Sequence, residues 1–209
     1  MKAIIVGAGG FGKELAFLLS RQSEYELIGF VDDVKTVDEK IVGIPVLGKI
    51  ELLTKMELKI AVFIGIANPR IKEKIFFELK GNNHLTFPNL IDATALVGLN
   101  VQLGIGNILM PYTTYTADIT IGNFNMFNIY STIGHDSKIG NYNSIYPNVN
   151  LSGYALLGNR NEIGVGTKVI PEVSIGQGNI IGAGSVVVKD IHNNTKSVGV
   201  PAKIIESWD

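Results

Sequence analysis

From Ile91 onward an apolar side chain falls at every sixth position, through Val97, Leu103, Leu109, Tyr115 and Ile121 and on to Ile181 and Val187, without a slip. Strand alternation has a period of two and a helix one of about 3.6, so neither explains a spacing of six held over this length. A longer period overlies it: Gly104, Gly122, Gly140, Gly158 and Gly176 each follow an apolar anchor and lie 18 apart. Three hexads therefore close one coil, and the pattern predicts a parallel β-helix whose triangular coils stack at strand spacing. The position four after each anchor is restricted too, as a side chain inside a narrow prism must be. Along one edge it reads Asn107, Asn125, Asn143, Asn161 and Asn179, which predicts a buried amide ladder, each Asn donating to the next. Three after the anchors stand Tyr112, Phe124, Tyr130, Tyr142 and Tyr154. This phase should point outward, and aromatics grouped there predict a surface buried between subunits.

The front of the chain is patterned differently. Lys2-Ala3-Ile4-Ile5-Val6 reads as a strand, Gly7-Ala8-Gly9-Gly10-Phe11-Gly12 as a tight turn, and Lys13 to Leu19 as a helix by its apolar spacing. Glycines at such a turn let backbone N–H groups at the helix N-terminus approach a phosphate. A second strand, Leu27 to Val31, ends in Asp32-Asp33, about 20 residues beyond the turn, where an acidic side chain can meet a ribose or base. A short strand at Pro45, a helix near residues 49–57, a strand over 60–64 and a helix after Asn68-Pro69 complete the segment. That is one mononucleotide-binding half, a half-Rossmann βαβαβ module, and it favours a nucleotide or nucleotide-sugar over a dinucleotide. A glycine turn with purely structural duty is the alternative. Asn68 is either the cap of its helix alone or a substrate contact as well.

Charge marks the boundary between the two patterns. Residues 1–87 hold 12 basic and 11 acidic side chains, whereas residues 88–188 hold 3 and 5. The expected domains are therefore 1–87, binding a nucleotide or nucleotide-sugar, and 88–209, a prism with a C-terminal tail. A net charge of −1 offers no electrostatic footprint for nucleic acid or an anionic membrane. The absence of cysteine excludes a disulfide scaffold, a thiolate zinc site and cysteine nucleophiles. The opening apolar run, Ala3 to Val6, is too short for a signal peptide or a membrane span, so a soluble cytoplasmic protein is expected.

Of the three histidines, His84 falls in a linker and His192 in a tail loop, while His135 sits inside the repeat at an outward corner, followed by Asp136. Counting 18 onward from His135 reaches Gly153, so the next coil lacks a side chain at that corner and should leave a notch. The Gly153 N–H is then a candidate oxyanion donor. The plain alternative makes His135 a surface residue and Asp136 solvated rim.

A half-Rossmann module followed by such a prism resembles the NeuD/PglD family of bacterial sugar acetyltransferases. The resemblance runs through Gly7 to Gly12, Phe30-Val31-Asp32-Asp33, Asn89-Leu90-Ile91, Ile108-Leu109-Met110-Pro111, Asn128, Ile133-Gly134-His135-Asp136, Leu151-Ser152-Gly153 and Val198 to Lys203. It implies a left-handed helix, a homotrimer, acetyl-CoA as co-substrate without a metal, and an amino or hydroxyl group on a sugar as acceptor. It makes His135 the general base, supported by Asp136. It places Gly9, Gly10, Phe11, Asp32 and Asp33 around the nucleotide and Asn128 among the substrate contacts, to which Asn68 is the candidate added by its position before Pro69 at the helix start. Along the prism it assigns Ser144, Val165 and Ala183 to the donor. Many relatives carry His where Ser144 and Asp92 stand.

The resemblance, together with the half-Rossmann module, favours N-acetylation of a nucleotide-linked 4-amino-deoxy sugar for a bacterial surface glycan. O-acetylation of sialic acid or another sugar is the near rival. A non-catalytic or zinc-dependent prism is the rival from another class, and the lack of a spaced histidine cluster argues against it.

Overall fold

A computed structural model describes residues 1–209, which divide into two compact units, Met1–Leu90 and Ile91–Asp209. No helix is long and apolar enough to cross a membrane.

In the first unit the chain runs β1 (Lys2–Val6), α1 (Gly10–Ser20), β2 (Glu26–Val31), β3 (Lys40–Ile41), β4 (Ile44–Gly48), α2 (Glu51–Thr54), β5 (Ile60–Ile64), α3 (Pro69–Leu79) and β6 (Leu85–Thr86). The sheet order is β3-β4-β2-β1-β5-β6, with every pairing parallel except β3 with β4. A strand flanked on both sides and covered on both faces must be apolar throughout, which is why β1 and β5 read as unbroken hydrophobic runs and are buried from Ala3 to Val6 and from Ile60 to Ile64. The chain leaves β1 towards β2 and later returns to β5 on the other side of β1. The strand order therefore reverses at β1, and ligands bind such sheets at this switch, beyond the carboxyl ends of the strands.

Two elements differ from expectation. Helix α2 is a single turn, not a helix over 49–57, because the Asn82 amide takes the carbonyls of Leu53 and Met56, both at 2.9 Å, and ends the turn there. The segment around His84 is not a plain linker: His84 O accepts from the Ile60 N–H at 3.0 Å and Leu85–Thr86 extends the sheet.

The second unit is a three-sided prism with sheets of eight, six and five strands, most of them two residues long. Each anchor pairs with the anchor 18 residues on, as in Ile121 with Ile139, Phe127 with Ile145 and Leu151 with Val169. The anchors from Leu109 to Val187 are at most 4% exposed. Val97, in the first coil, is 41% exposed because no earlier coil covers it. At the far end Thr195–Val198 adds a parallel strand to the eight-stranded sheet and Lys203–Ser207 returns antiparallel along it. Between them the tail bonds the last coil, through Val186 N–H to Gly199 O at 3.0 Å and Ala202 N–H to Val186 O at 2.8 Å.

The amide ladder is present but runs opposite to expectation: the side-chain amides of Asn125, Asn143 and Asn161 each donate to the preceding Asn, not to the next. Asn107, Asn125, Asn143, Asn161 and Asn179 are at most 1% exposed, and each side-chain oxygen accepts from the backbone N–H one coil on. A second ladder, not foreseen, runs through Asn123, Asn141 and Asn159 two positions after the anchors. Its oxygens face the other way and accept from the preceding coil.

The aromatic phase is only partly exposed. Tyr112, Tyr130 and Tyr154 are more than half exposed, but Phe124 and Tyr142 are 2% and 8% exposed and stack in parallel at 5.6 Å. Phe124 lies over Gly106, where an added Cβ would come within 2.3 Å of its ring. Outward geometry does not ensure exposure when the preceding coil offers a glycine to cover. The same phase carries the prism's turns: Tyr112, Asp118, Phe124, Tyr130, Asp136, Tyr142, Asn148, Tyr154 and Arg160 all have φ between 54° and 61°.

Candidate active site

Strand Thr132–Ile133 delivers Gly134 and His135 to a corner, and Asp136, at φ 59°, turns the chain. The fully buried Ile133 fixes the strand, while the side chains of His135 and Asp136 are 58% and 40% exposed. The turn brings the carboxylate back on its neighbour, with Asp136 Oδ2 at 2.8 Å from His135 Nδ1. An ionised carboxylate can only accept, so Nδ1 carries the proton and Nε2 keeps a free lone pair.

Gly153 lies one coil on, and a Cβ there would sit 2.7 Å from both Cε1 and Nε2 of His135. The expected notch is therefore filled by the imidazole itself, since no side chain competes for the volume. The ladder at this corner runs through Gly134 N–H to Leu151 O, Tyr154 N–H to His135 O and Glu172 N–H to Gly153 O, at 2.8 to 3.0 Å. The Gly153 N–H stands outside it. Tyr154 packs its ring perpendicular to the imidazole, with centroids 5.3 Å apart. Sequence reasoning placed Tyr154 among the outward aromatics and missed this contact. The signal was its position 18 residues after Asp136.

Val165 and Ala183 stack 18 apart on another corner, two positions after Ile163 and Ile181, and both are exposed. The backbones there approach closely: a Cβ on Gly164 would come within 2.6 Å of Ala183 N. Ser144 does not join them, because it precedes its anchor in strand Ser144–Ile145 and is fully buried, its N–H donating to Asn161 O at 2.8 Å. Asn128 is 8% exposed and its side-chain oxygen accepts from the Ile129 N–H at 2.7 Å. Neither residue presents a side chain to an incoming molecule in the way Val165 does. One coil beyond Asn128, the Tyr146 hydroxyl donates to Glu162 at 3.2 Å; burial first, then the Glu162 charge, push the phenol up to about 12.

In the first unit the glycine loop leaves β1 at Gly7, φ 96°, and enters α1. Gly12 must lack a side chain, since a Cβ would lie 2.0 Å from Gly7 O. Gly9 and Gly10 are different: both are exposed, and an added Cβ meets nothing within 4 Å. Gly9 is the N-cap of α1, with no side chain capping the helix and no acidic residue in its first turn. Unpaired N–H groups there suit an anion. Phe11 is half-buried in that first turn.

Asp32 is more engaged than expected. Its Oδ2 accepts from the Ala8 N–H at 2.8 Å and its Oδ1 from Val34 and Lys35 at 2.8 and 3.1 Å. Burial alone would raise its carboxyl, but these N–H groups and the Lys35 charge outweigh it and hold the group below its ordinary value. Asp32 thus braces the glycine loop from β2. Asp33 Oδ1 accepts from the Ile50 N–H at 3.0 Å. Asp32, Asp33 and Gly7 line a cleft of about 260 Å3 together with Ile66, Lys74 and Glu78. Gly9, Gly10, Phe11 and Asn68 lie outside that lining. Asn68 is the cap of α3, its oxygen accepting from the Ile71 N–H at 3.0 Å. No group of three or more His, Asp or Glu side chains is arranged to hold a metal ion.

Comparison with known proteins places this fold among the acyltransferases. Residues 2–79 match the PglD N-terminal domain family. A comparison with curated protein sequences gave no match. Among solved structures, the acetyltransferase domain of PglB from Neisseria gonorrhoeae is 29% identical, covers 98% of this chain and 99% of its own, and superposes with a TM-score of 0.93. A perosamine N-acetyltransferase from Caulobacter crescentus, in complex with CoA and GDP-perosamine, is 30% identical over 99% of this chain and 98% of its own, with a TM-score of 0.89. WeeI from Acinetobacter baumannii is 30% identical over 98% and 100%, with a TM-score of 0.89. The prism is a left-handed hexapeptide-repeat β-helix, and the protein is an acyltransferase. The chain belongs to the PglD/NeuD-like family of sugar acetyltransferases.

Proposed function

We propose that the protein transfers the acetyl group of acetyl-CoA to the amine of a nucleotide-linked 4-amino-deoxy sugar, working as a cytoplasmic homotrimer in bacterial surface glycan biosynthesis. The observation that carries the reading is the 2.8 Å bond from His135 Nδ1 to Asp136, which leaves Nε2 as an exposed proton acceptor beside a free backbone N–H. The sugar nitrogen attacks as the neutral amine, its ammonium form having first given a proton to solvent. His135 Nε2 takes a proton from the attacking amine as the nitrogen bonds to the thioester carbonyl carbon. The carbonyl oxygen becomes an oxyanion, and the Gly153 N–H is the donor offered to it. When the C–S bond breaks, the amide forms, CoA leaves as the thiolate, and the proton held on His135 returns to sulfur. Asp136 keeps the imidazole in the right tautomer and stabilises it once charged. The uncapped turn at Gly9, Gly10 and Phe11 and the Asp32–Asp33 cleft supply the nucleotide site, and the Val165–Ala183 edge supplies the donor path. A perosamine N-acetyltransferase 30% identical to this chain, crystallised with CoA and GDP-perosamine, supports that pairing of ligands.

The test is a thermal-shift panel of UDP-, GDP- and dTDP-linked 4-amino sugars with and without acetyl-CoA, followed by turnover of His135→Ala. A ligand that binds the native state raises Tm, by about 2.7 kcal/mol of stabilisation at a hundredfold excess over Kd. His135→Ala should keep that shift and lose about 10²- to 10⁴-fold in turnover. Wild-type turnover in the variant rejects the base role. Acetylation of a free sugar, with no nucleotide-dependent shift, points instead to O-acetylation of sialic acid or another sugar.

A further inference from the structure

The geometry at the His135 corner assigns a second residue to the base: we propose that Tyr154 is a positioning residue whose ring holds the His135 imidazole in its working orientation. The inference rests on His135 being the base. A side chain 58% exposed, tied at one nitrogen to a neighbour that is itself 40% exposed, is weakly held, because an exposed pair of this kind contributes little. Rotation about χ1 or χ2 would carry Nε2 away from the Gly153 backbone, and a base out of line with its proton is inactive. Two further contacts restrict that rotation. Gly153 offers a surface free of side chain, against which Cε1 and Nε2 rest. Tyr154 stands at right angles to the imidazole with centroids 5.3 Å apart, within the range of a favourable edge-to-face pair.

Tyr154 is itself well placed for this duty. Its N–H donates to His135 O at 2.8 Å, so the two residues are bonded through the backbone ladder as well as through their rings. It occupies the φ-positive corner directly after that of Asp136 in the stack, at φ 58° against 59°. Asp136 therefore fixes the Nδ1 side of the ring and Tyr154 restricts the volume into which the ring would otherwise swing. The contact uses the aromatic ring and leaves the hydroxyl without a part in it.

The experiment uses Tyr154→Asn, which removes the ring yet suits the left-handed backbone, and Tyr154→Phe, which keeps the ring. Tyr154→Asn should lower kcat about tenfold with KM for both substrates within about twofold, since the loss falls on alignment of the base and not on binding. Tyr154→Phe should behave as wild type. In a His135→Ala background Tyr154→Asn should add nothing, because a residue acting through the imidazole has nothing left to position. The imidazole carbon and nitrogen NMR signals of His135 should move towards rotamer-averaged positions in Tyr154→Asn and not in Tyr154→Phe. An unchanged kcat in Tyr154→Asn, an equal loss in Tyr154→Phe, or a full further loss in the His135→Ala background overturns the positioning role. Loss of activity in His135→Ala alongside a silent Tyr154→Asn leaves the base reading standing and removes only this one. Full activity in His135→Ala removes both.

Discussion

At the scale of single residues, the acidic side chains at the two candidate sites have opposite duties. Asp136 faces its histidine with one oxygen. Asp32 spends both oxygens on backbone N–H groups, including Ala8 within the glycine loop. Sequence spacing alone marked Asp32 and Asp33 as positions where a carboxylate can meet a ribose or base, and could not show the bracing of the loop by Asp32, because spacing records where the carboxylate is and not what the loop does with it. Asp32→Asn replaces an acceptor-only group with one that must turn an NH2 towards a backbone donor, so it should destabilise the first unit by about 1.5–3 kcal/mol, the usual value of hydrogen bonds to a charged group. Its pH dependence has a definite sign. A carboxyl held below its ordinary value stabilises the fold above the unfolded-state range and ceases to do so as pH falls through the lowered folded value. Urea unfolding should therefore find the gap between wild type and Asp32→Asn full at pH 7 and closing below about pH 4; a gap independent of pH would show that the carboxylate charge has no part in it.

At the scale of elements, the prism is held by two amide ladders of opposite polarity. The inner one was legible from Asn107, Asn125, Asn143, Asn161 and Asn179, because an amide buried at the same place in every coil must find its partners in the neighbouring coils. The outer one was not, since Asn123, Asn141 and Asn159 occupy a phase that is otherwise solvent-facing, and only the coil-to-coil approach makes them partners. The ladder's direction shows where a lesion acts. In Asn143→Leu the Asn125 oxygen keeps the backbone N–H of residue 143 but loses the side-chain donor, whereas Asn161 loses the acceptor of both its N–H and its Nδ2, bonded at 2.8 and 3.0 Å. The expected cost is about 1–3 kcal/mol for each buried group left unpaired. Hydrogen exchange should show it on the C-terminal side of residue 143 first. An unchanged Tm, or protection lost on the N-terminal side, would reject this ladder as the register-setting element.

At the scale of the whole molecule, the proposed homotrimer requires a surface to bury, and the isolated chain offers a candidate. Tyr112 and Tyr130 stack in parallel at 5.2 Å on an exposed corner, each more than half exposed, with Val165 on the adjoining column. Aromatics of this kind dominate interfaces when covered. Light scattering at micromolar concentration should give three subunits for wild type and a lower mass for Tyr130→Glu; a wild-type monomer would reject the proposed homotrimer. What the sequence determined by itself was what repeats: the six-residue anchors, the 18-residue coil, the inner amides and the run from strand through glycines to helix, because each is a local rule applied many times or a motif read along the chain. What only the tertiary structure decided depends on residues a full coil or a full crossover apart. It decided that His135 fills the space over Gly153, that Tyr154 stands beside it, that Phe124 and Tyr142 are buried, that Ser144 has no exposed surface and that Asp32 braces the loop. The physical reason is that the period fixes which residues stack, while the size and orientation of neighbouring side chains decide which of them ends up covered, paired or free to act.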